Sequence, residues 1–255
     1  MSESTKIYLG MDEAGRGSVI GPLVMGSVSI TKSTLEYYES TEITDSKKLS
    51  PKKREQLFDI IKETNFTSRT IALTSLDIDK AVLSRTSNLN ILELQTMIKL
   101  IIENQLATDI FIDAISTPDY CTNNLKTLLK NDSSVLSVKK LSADTLSLSR
   151  MVDDHCVKAT IIAQNKADIN YKVVSAASIL AKVTRDKAIR DLEIEFGLPI
   201  GILASGYPNN QLKPFLNKYK KQIKKKEFPF IRYSWDWLPL KSLISSNNLK
   251  QEKLL

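Results

Sequence analysis

The sequence predicts an α/β protein, a mixed central sheet flanked by helices with a helical extension at its C-terminal end. Three observations carry this expectation. Short apolar runs, such as residues 7–11 and 109–113, have the length and composition of buried strands. Between them lie longer stretches whose apolar residues recur at helical spacing. Beyond about residue 195 the pattern is mainly helical, with no internal repeat and no clear linker. The expected division is a main domain over residues 1–195 and a mainly helical extension over 196–255, packed on it.

Taken in order, residues 7–11 predict a strand that runs straight into Asp12-Glu13-Ala14-Gly15-Arg16-Gly17. Residues 22–30 predict a second strand, antiparallel to the first. Residues 45–49 read as a loop, and Ser50-Pro51 then opens a helix with a capping side chain and a proline at its first position. A third strand is expected from 66 to 76. A core helix follows over 89–102, where Leu92, Leu94, Met97, Leu100 and Ile101 line one face. Asp109-Ile110-Phe111-Ile112-Asp113 is a strand ending in an acid, and residues 157–163 are another strand. A long helix over 173–192 begins with Ser175-Ala176-Ala177-Ser178, small enough to let it approach a sheet or a substrate closely.

Composition narrows the chemistry. The chain carries 36 Lys+Arg against 29 Asp+Glu, a net charge of +7 that favours polyanionic partners, although a solvated basic surface gives the same sum. Seven of the lysines fall between Lys213 and Lys226, among Phe215, Leu216, Tyr219 and Ile223. Only one histidine, His155, is present. That count excludes histidine-rich metal sites and leaves acid–base work to carboxylates, lysines or a metal-bound water. The two cysteines, Cys121 and Cys156, are read as buried thiols. No apolar run approaches the ~20 residues that span a bilayer. The opening MSESTKIYLG lacks the layout of a signal peptide, so a soluble protein is expected, cytoplasmic or, in a eukaryotic source, nuclear.

Adjacent acids at the end of an apolar strand are costly to bury without a cation. Asp12 and Glu13 are such a pair, and alternation lets both reach one site only where the strand ends or bends, as Gly15 and Gly17 permit. Asp113 ends another strand, where open α/β sheets place their sites. Solvated loop-end acids remain the competing reading of these residues. Arg16, between two glycines, can grip a phosphate through its planar fork, but a lone Gly-Arg-Gly is also an ordinary turn. Tyr207 by itself reads as a turn aromatic, and Trp235 and Trp237 read as packing residues.

Several blocks, in order, resemble the type 2 ribonucleases H, or ribonucleases HII. They are Asp12-Glu13-Ala14-Gly15-Arg16-Gly17 with Gly21-Pro22-Leu23-Val24, then Asp45-Ser46-Lys47-Lys48-Leu49, Asn88-Leu89-Asn90, strand-end Asp113 and Lys166-Ala167-Asp168. The long block from Val174 through Ser178, Lys182 and Arg185 to Asp186 follows, then Ser205-Gly206-Tyr207-Pro208-Asn209 and Arg232-Tyr233-Ser234-Trp235. The resemblance spans roughly residues 6–237 and is nearest to archaeal single-chain members and eukaryotic catalytic subunits.

The resemblance implies a ribonuclease H-like fold and an endonuclease that cuts the RNA strand of RNA–DNA hybrids and 5′ to single ribonucleotides in duplex DNA. Such an enzyme serves ribonucleotide excision in DNA replication and repair. Asp12, Glu13, Asp113 and Asp168 match the family's four acids, which would hold two Mg²⁺ or Mn²⁺ ions. Gly15, Arg16 and Gly17 match its ribose-sensing turn, and Tyr207 the tyrosine that packs on the sugar at the RNA–DNA junction. Lys47, Ser178 and Lys182 are candidates for backbone phosphates. A monomer is implied. Gln251 and Leu254 have the spacing that opens a sliding-clamp peptide, which needs an aromatic pair further on. Ser18 replaces a proline of many relatives, residues 141–155 match no family block, and the Lys-Ala-Asp context selects Asp168 over Asp144, Asp153 and Asp154. The alternatives are a type 3 ribonuclease H acting on hybrids alone, a partner-dependent enzyme, or an inactive nucleic-acid-binding subunit. The last predicts loss of a metal-binding acid, and all four are present.

Overall fold

A computed structural model describes residues 6–44 and 46–245. Asp45 and residues 246–255, with the Gln251–Leu254 spacing, lie outside the described residues. Two compact units emerge, each drawn from separated segments. The first takes the chain up to Ala14, Val24–Ile71 and Asn90–Val183; the second takes Gly15–Leu23, Ala72–Leu89 and the chain from Thr184.

The strands are β1 (Ile7–Ala14), β2 (Leu23–Thr31), β3 (Thr67–Leu73), β4 (Asp109–Asp113), β5 (Val135–Lys140), β6 (Thr145–Val152) and β7 (His155–Gln164). The helices are α1 (Lys32–Glu39), α2 (Pro51–Thr64), α3 (Ser75–Leu83), α4 (Leu89–Glu103), α5 (Pro118–Leu129), α6 (Ala167–Asn170), α7 (Lys172–Glu195), α8 (Lys213–Lys218), α9 (Lys220–Lys224) and α10 (Leu238–Ser245).

The first unit is built on a mixed sheet in the order β3-β2-β1-β4-β7-β6-β5. β1 pairs antiparallel with β2, as expected, and parallel with β4, which pairs parallel with β7. Because three neighbouring strands run in parallel, their C-terminal ends lie together. One core holds Leu9, Met11, Ile110, Ile112, Leu94, Met97, Cys121 and Leu125, joining the sheet to α4 and α5. The other holds Val28, Ile30, Val174, Ala177 and Leu180, joining it to α7. The small-residue run of α7 allows that approach, and so does the strand beneath it. A Cβ built on Gly26 would stand 2.6 Å from the Ala177 carbonyl oxygen, a separation no side chain tolerates.

Local chemistry sets several boundaries. The Ser50 side chain caps α2 by accepting from the Lys53 amide. The expected strand over 66–76 stops at Leu73, because Thr74 and Asp77 form a reciprocal capping box that starts α3. Residues 141–155, which matched no block, form most of the β6–β7 hairpin. Its two-residue turn, Asp153-Asp154, has positive φ at both positions (46° and 61°), the backbone that a tight hairpin turn requires. His155 and Cys156 follow that turn and are exposed, so the reading of Cys156 as a buried thiol is corrected; the hairpin tip extends past the core.

The second unit has its own core of Val19, Ile20, Ile189, Leu203, Phe215, Ile223, Phe228, Phe230 and Ile231, with Trp235 and Trp237 packed against it. The lysine-rich stretch forms α8 and α9, interrupted at Tyr219. Phe215, Leu216 and Ile223 turn inward, and Lys213, Lys218, Lys220 and Lys221 stay exposed.

Candidate active site

Asp12 and Asp113 come together through strand register. Met11 stands opposite Ile112 in the parallel β1–β4 pair, so the next residue of each strand is an acid. β7 lies beside β4, and two residues beyond its end Lys166 takes a left-handed conformation (φ 59°, ψ 38°) that turns the chain into α6, which carries Asp168. Asp113 accepts a hydrogen bond from the Ala167 amide at 3.0 Å, tying the second acid to the turn that bears the third.

The electrostatics follow from this convergence. Asp12 is 5% exposed, and its carboxyl is pushed up to about 7 from the ordinary 3.8. Burial is the largest cause and repulsion from Asp113 the next; hydrogen bonds from Ser178 and the Glu13 amide oppose the shift, and Asp168 adds to it. Asp113 is also pushed up by burial, against the Ala167 and Lys166 amides and the charge of Lys47. The bend at Gly15 falls after both acids of the Asp12–Glu13 pair, since β1 stays in register with β2 through Ala14. Alternation therefore sends Glu13 to the sheet face opposite Asp12. There Glu13 and Asp113 add to the burial that pushes the Cys121 thiol up to about 11. Asp113, at the strand terminus, is thus the acid that neighbours both. Among the described residues, no three His, Cys, Asp or Glu side chains already stand in metal-ligand geometry. Asp12 is instead within electrostatic reach of both Asp113 and Asp168.

Ser178 and Lys182 are one turn apart on α7, and the Ser178 hydroxyl lies 3.0 Å from that of Ser46, next to exposed Lys47. Ser46 was not singled out from the sequence, although it stands in the Asp45–Leu49 block.

Gly15, Arg16, Gly17 and Tyr207 belong to the second unit. Gly15 adopts φ 88°, and Ser18, the replacement for proline, secures the turn by donating from Oγ to the Gly15 oxygen at 2.8 Å. Fully buried Arg232 braces the same turn. It donates to the oxygens of Gly15 (2.7 Å), Arg16 (2.9 Å) and Gly21 (3.1 Å). The sequence marked Arg232 only as part of a matching block; a carbonyl-collecting role has no local signature. A Cβ on Gly17 would lie 3.8 Å from the Tyr207 ring, so turn and tyrosine are neighbours. His155 sits on the hairpin turn, its Nδ1 2.6 Å from the Asp153 oxygen.

The sequence model described as Ribonuclease HII matches residues 9–149 and 121–237. The chain belongs to the ribonuclease HII family. It is 38% identical over 224 residues to the ribonuclease HII of Methanococcus vannielii, a match covering 86% of this chain and 79% of the relative. Its structure resembles ribonuclease H2 from Pyrococcus horikoshii OT3, with a TM-score of 0.71 and 30% identity, covering 94% and 98% of the two chains. It shares a fold with ribonuclease HII from Archaeoglobus fulgidus, solved in complex with PCNA (TM-score 0.68, 24% identity, covering 90% and 95%). Membership of this family makes the chain a type 2 ribonuclease H, a nuclease on a ribonuclease H-like fold acting on nucleic acid.

Proposed function

We propose that this ribonuclease HII hydrolyses the RNA strand of RNA–DNA hybrids and cuts 5′ to single ribonucleotides in duplex DNA, by a two-metal route leaving a 5′ phosphate and a 3′ hydroxyl. The observation that carries the reading is Asp12, buried where parallel strands end, its carboxyl driven up by burial, Asp113 and Asp168. Crowding buried acids costs stability, and a divalent cation removes that cost. The donors would be Asp12, Asp113 and Asp168, with Glu13, on the opposite face, reaching the ions only past the strand end beside Asp113. All four are carboxylates, which suit hard ions such as Mg²⁺ or Mn²⁺. Bound there, two such ions would supply an activated water and stabilise the departing 3′ oxygen.

The chain's own residues do the rest. Asp113, held by the Ala167 amide, keeps its carboxylate fixed beside Asp12. Ser178 steadies Asp12, while Lys47 and Lys182 offer positive charge to backbone phosphates. The Gly15-Arg16-Gly17 turn, its carbonyls collected by Arg232, presents a rigid backbone that can read a 2′-hydroxyl, the group that separates RNA from DNA. Tyr207 would pack on the neighbouring sugar, which supports single-ribonucleotide cutting over the hybrid-only alternative. The exposed lysines of α8 and α9 would add sequence-independent backbone contacts. In this reading the enzyme acts as a cytoplasmic monomer in ribonucleotide excision. A sliding clamp is its candidate protein partner, tested by pull-down with and without residues 251–255.

The deciding assay incubates the chain with labelled duplex DNA carrying one ribonucleotide, with Mg²⁺, Mn²⁺ or EDTA, beside Asp113→Asn. The reading expects metal-dependent cleavage 5′ to the ribonucleotide that disappears in the variant. Cleavage of long hybrids alone would turn it towards a type 3 activity, and a folded chain that cuts neither substrate would overturn it.

A further inference from the structure

Arg185, in the second half of α7, is fully buried, yet among the described residues no carboxylate hydrogen-bonds it. Its Nη2 donates to the oxygens of Ser205 (2.8 Å) and Ile20 (3.2 Å). Nη1 stands 3.9 Å from the Asp186 carboxylate, beyond hydrogen-bond reach, and among the described residues Nε and Nη1 have no hydrogen-bond partner. A buried guanidinium with orphaned N–H groups is far more costly than an apolar side chain of the same shape. Packing alone therefore does not account for an arginine here.

What the arginine supplies is a flat charged face and a rigid edge. The face lies 5.1 Å from the centroid of the Tyr207 ring, in cation–π range. The edge lies under the turn, where a Cβ on Gly15 would come within 2.1 Å of Nε. The loop that delivers Tyr207 is anchored from the same helix. Buried Glu193 accepts from the Gly201 and Leu203 amides, both at 2.8 Å, and Arg185 takes the Ser205 oxygen further along.

We propose that Arg185 is a positioning residue that sets substrate preference, holding the Tyr207 ring and the Gly15 turn in one arrangement that favours an isolated ribonucleotide over a continuous hybrid. This rests on the reading of Tyr207 as the junction-sensing side chain. Lysine keeps the charge but lacks the planar group that stacks on a ring while donating along its edge.

The test measures kcat/KM on two substrates, a duplex with one ribonucleotide and a continuous hybrid, for the parent chain, Arg185→Met, Arg185→Lys, Tyr207→Ala and the Arg185→Met/Tyr207→Ala double variant. Loss of the stack is expected to lower the single-ribonucleotide to hybrid ratio about tenfold in both Arg185 variants. On the Tyr207→Ala background, Arg185→Met is expected to change the ratio no further. Circular dichroism confirms folding, and Arg185→Lys decides the matter if the methionine variant does not fold. Equal losses on both substrates, or a full shift that persists without Tyr207, overturn the assignment. A Tyr207→Ala variant with the parent ratio instead removes the junction reading itself, and this assignment with it.

Discussion

Replacing Asp12 with asparagine should abolish cleavage and, in EDTA, stabilise the protein. The side chain is 5% exposed, and its native carboxyl titrates at about 7 against an ordinary 3.8. A carboxyl raised in the native state contributes stability that is present in full below about pH 4 and lost as pH rises through about 7. At about 1.36 kcal/mol per pH unit, the span from 3.8 to about 7 corresponds to about 4 kcal/mol. That figure is an upper value, because Asp113 and Asp168 relax as Asp12 ionises. Asparagine preserves the shape and still accepts from the Glu13 amide, which donates to the aspartate at 2.7 Å. Thermal melts in EDTA from pH 4.5 to 8 should therefore converge at the acid end. At pH 8 the variant should melt higher, by up to about 8 °C at roughly 2 °C per kcal/mol. Millimolar Mg²⁺ should reverse the order, since only the parent retains the full carboxylate set. A gap that ignores pH, or a variant that melts lower than the parent at pH 8 in EDTA, would refute the argument that these acids are crowded at a cost.

Two further substitutions probe the scaffold. Gly26→Ala drives a methyl to within 2.6 Å of the Ala177 oxygen and should destabilise by about 1–3 kcal/mol in urea titrations, with α7 shifted from the sheet; an unchanged midpoint would contradict the close approach. Asp153→Asn with Asp154→Gly fits residues that favour positive φ into the β6–β7 turn. The pair should raise stability by about 0.5–1 kcal/mol and leave cleavage of both substrates at the parent rate.

Some of this protein was legible before any coordinates. Apolar runs ending in acids located β1 and β4, and the Ser50-Pro51 signal placed α2. What was missed has physical reasons. β5 is an edge strand with exposed Leu136, and β6 alternates serine with leucine, so neither shows a buried apolar run. α3 hid inside the expected third strand because its Thr74–Asp77 cap decides a boundary that hydrophobicity does not mark.

The sequence by itself determined the chemistry on offer: one histidine, four acids in matching blocks, two glycines around an arginine, and a family whose members are ribonucleases HII. Those are statements about residue type and order. Only the tertiary structure decided how the acids meet. Parallel register puts Asp12 beside Asp113, a left-handed residue brings in Asp168, and unbroken strand pairing leaves Glu13 on the other face. It likewise decided that Arg232 and Arg185 collect backbone carbonyls, some of them from residues 165 to 217 positions away. Partners so distant in the chain leave no pattern along it, because an arginine's donors are satisfied by whatever oxygen the fold brings within reach.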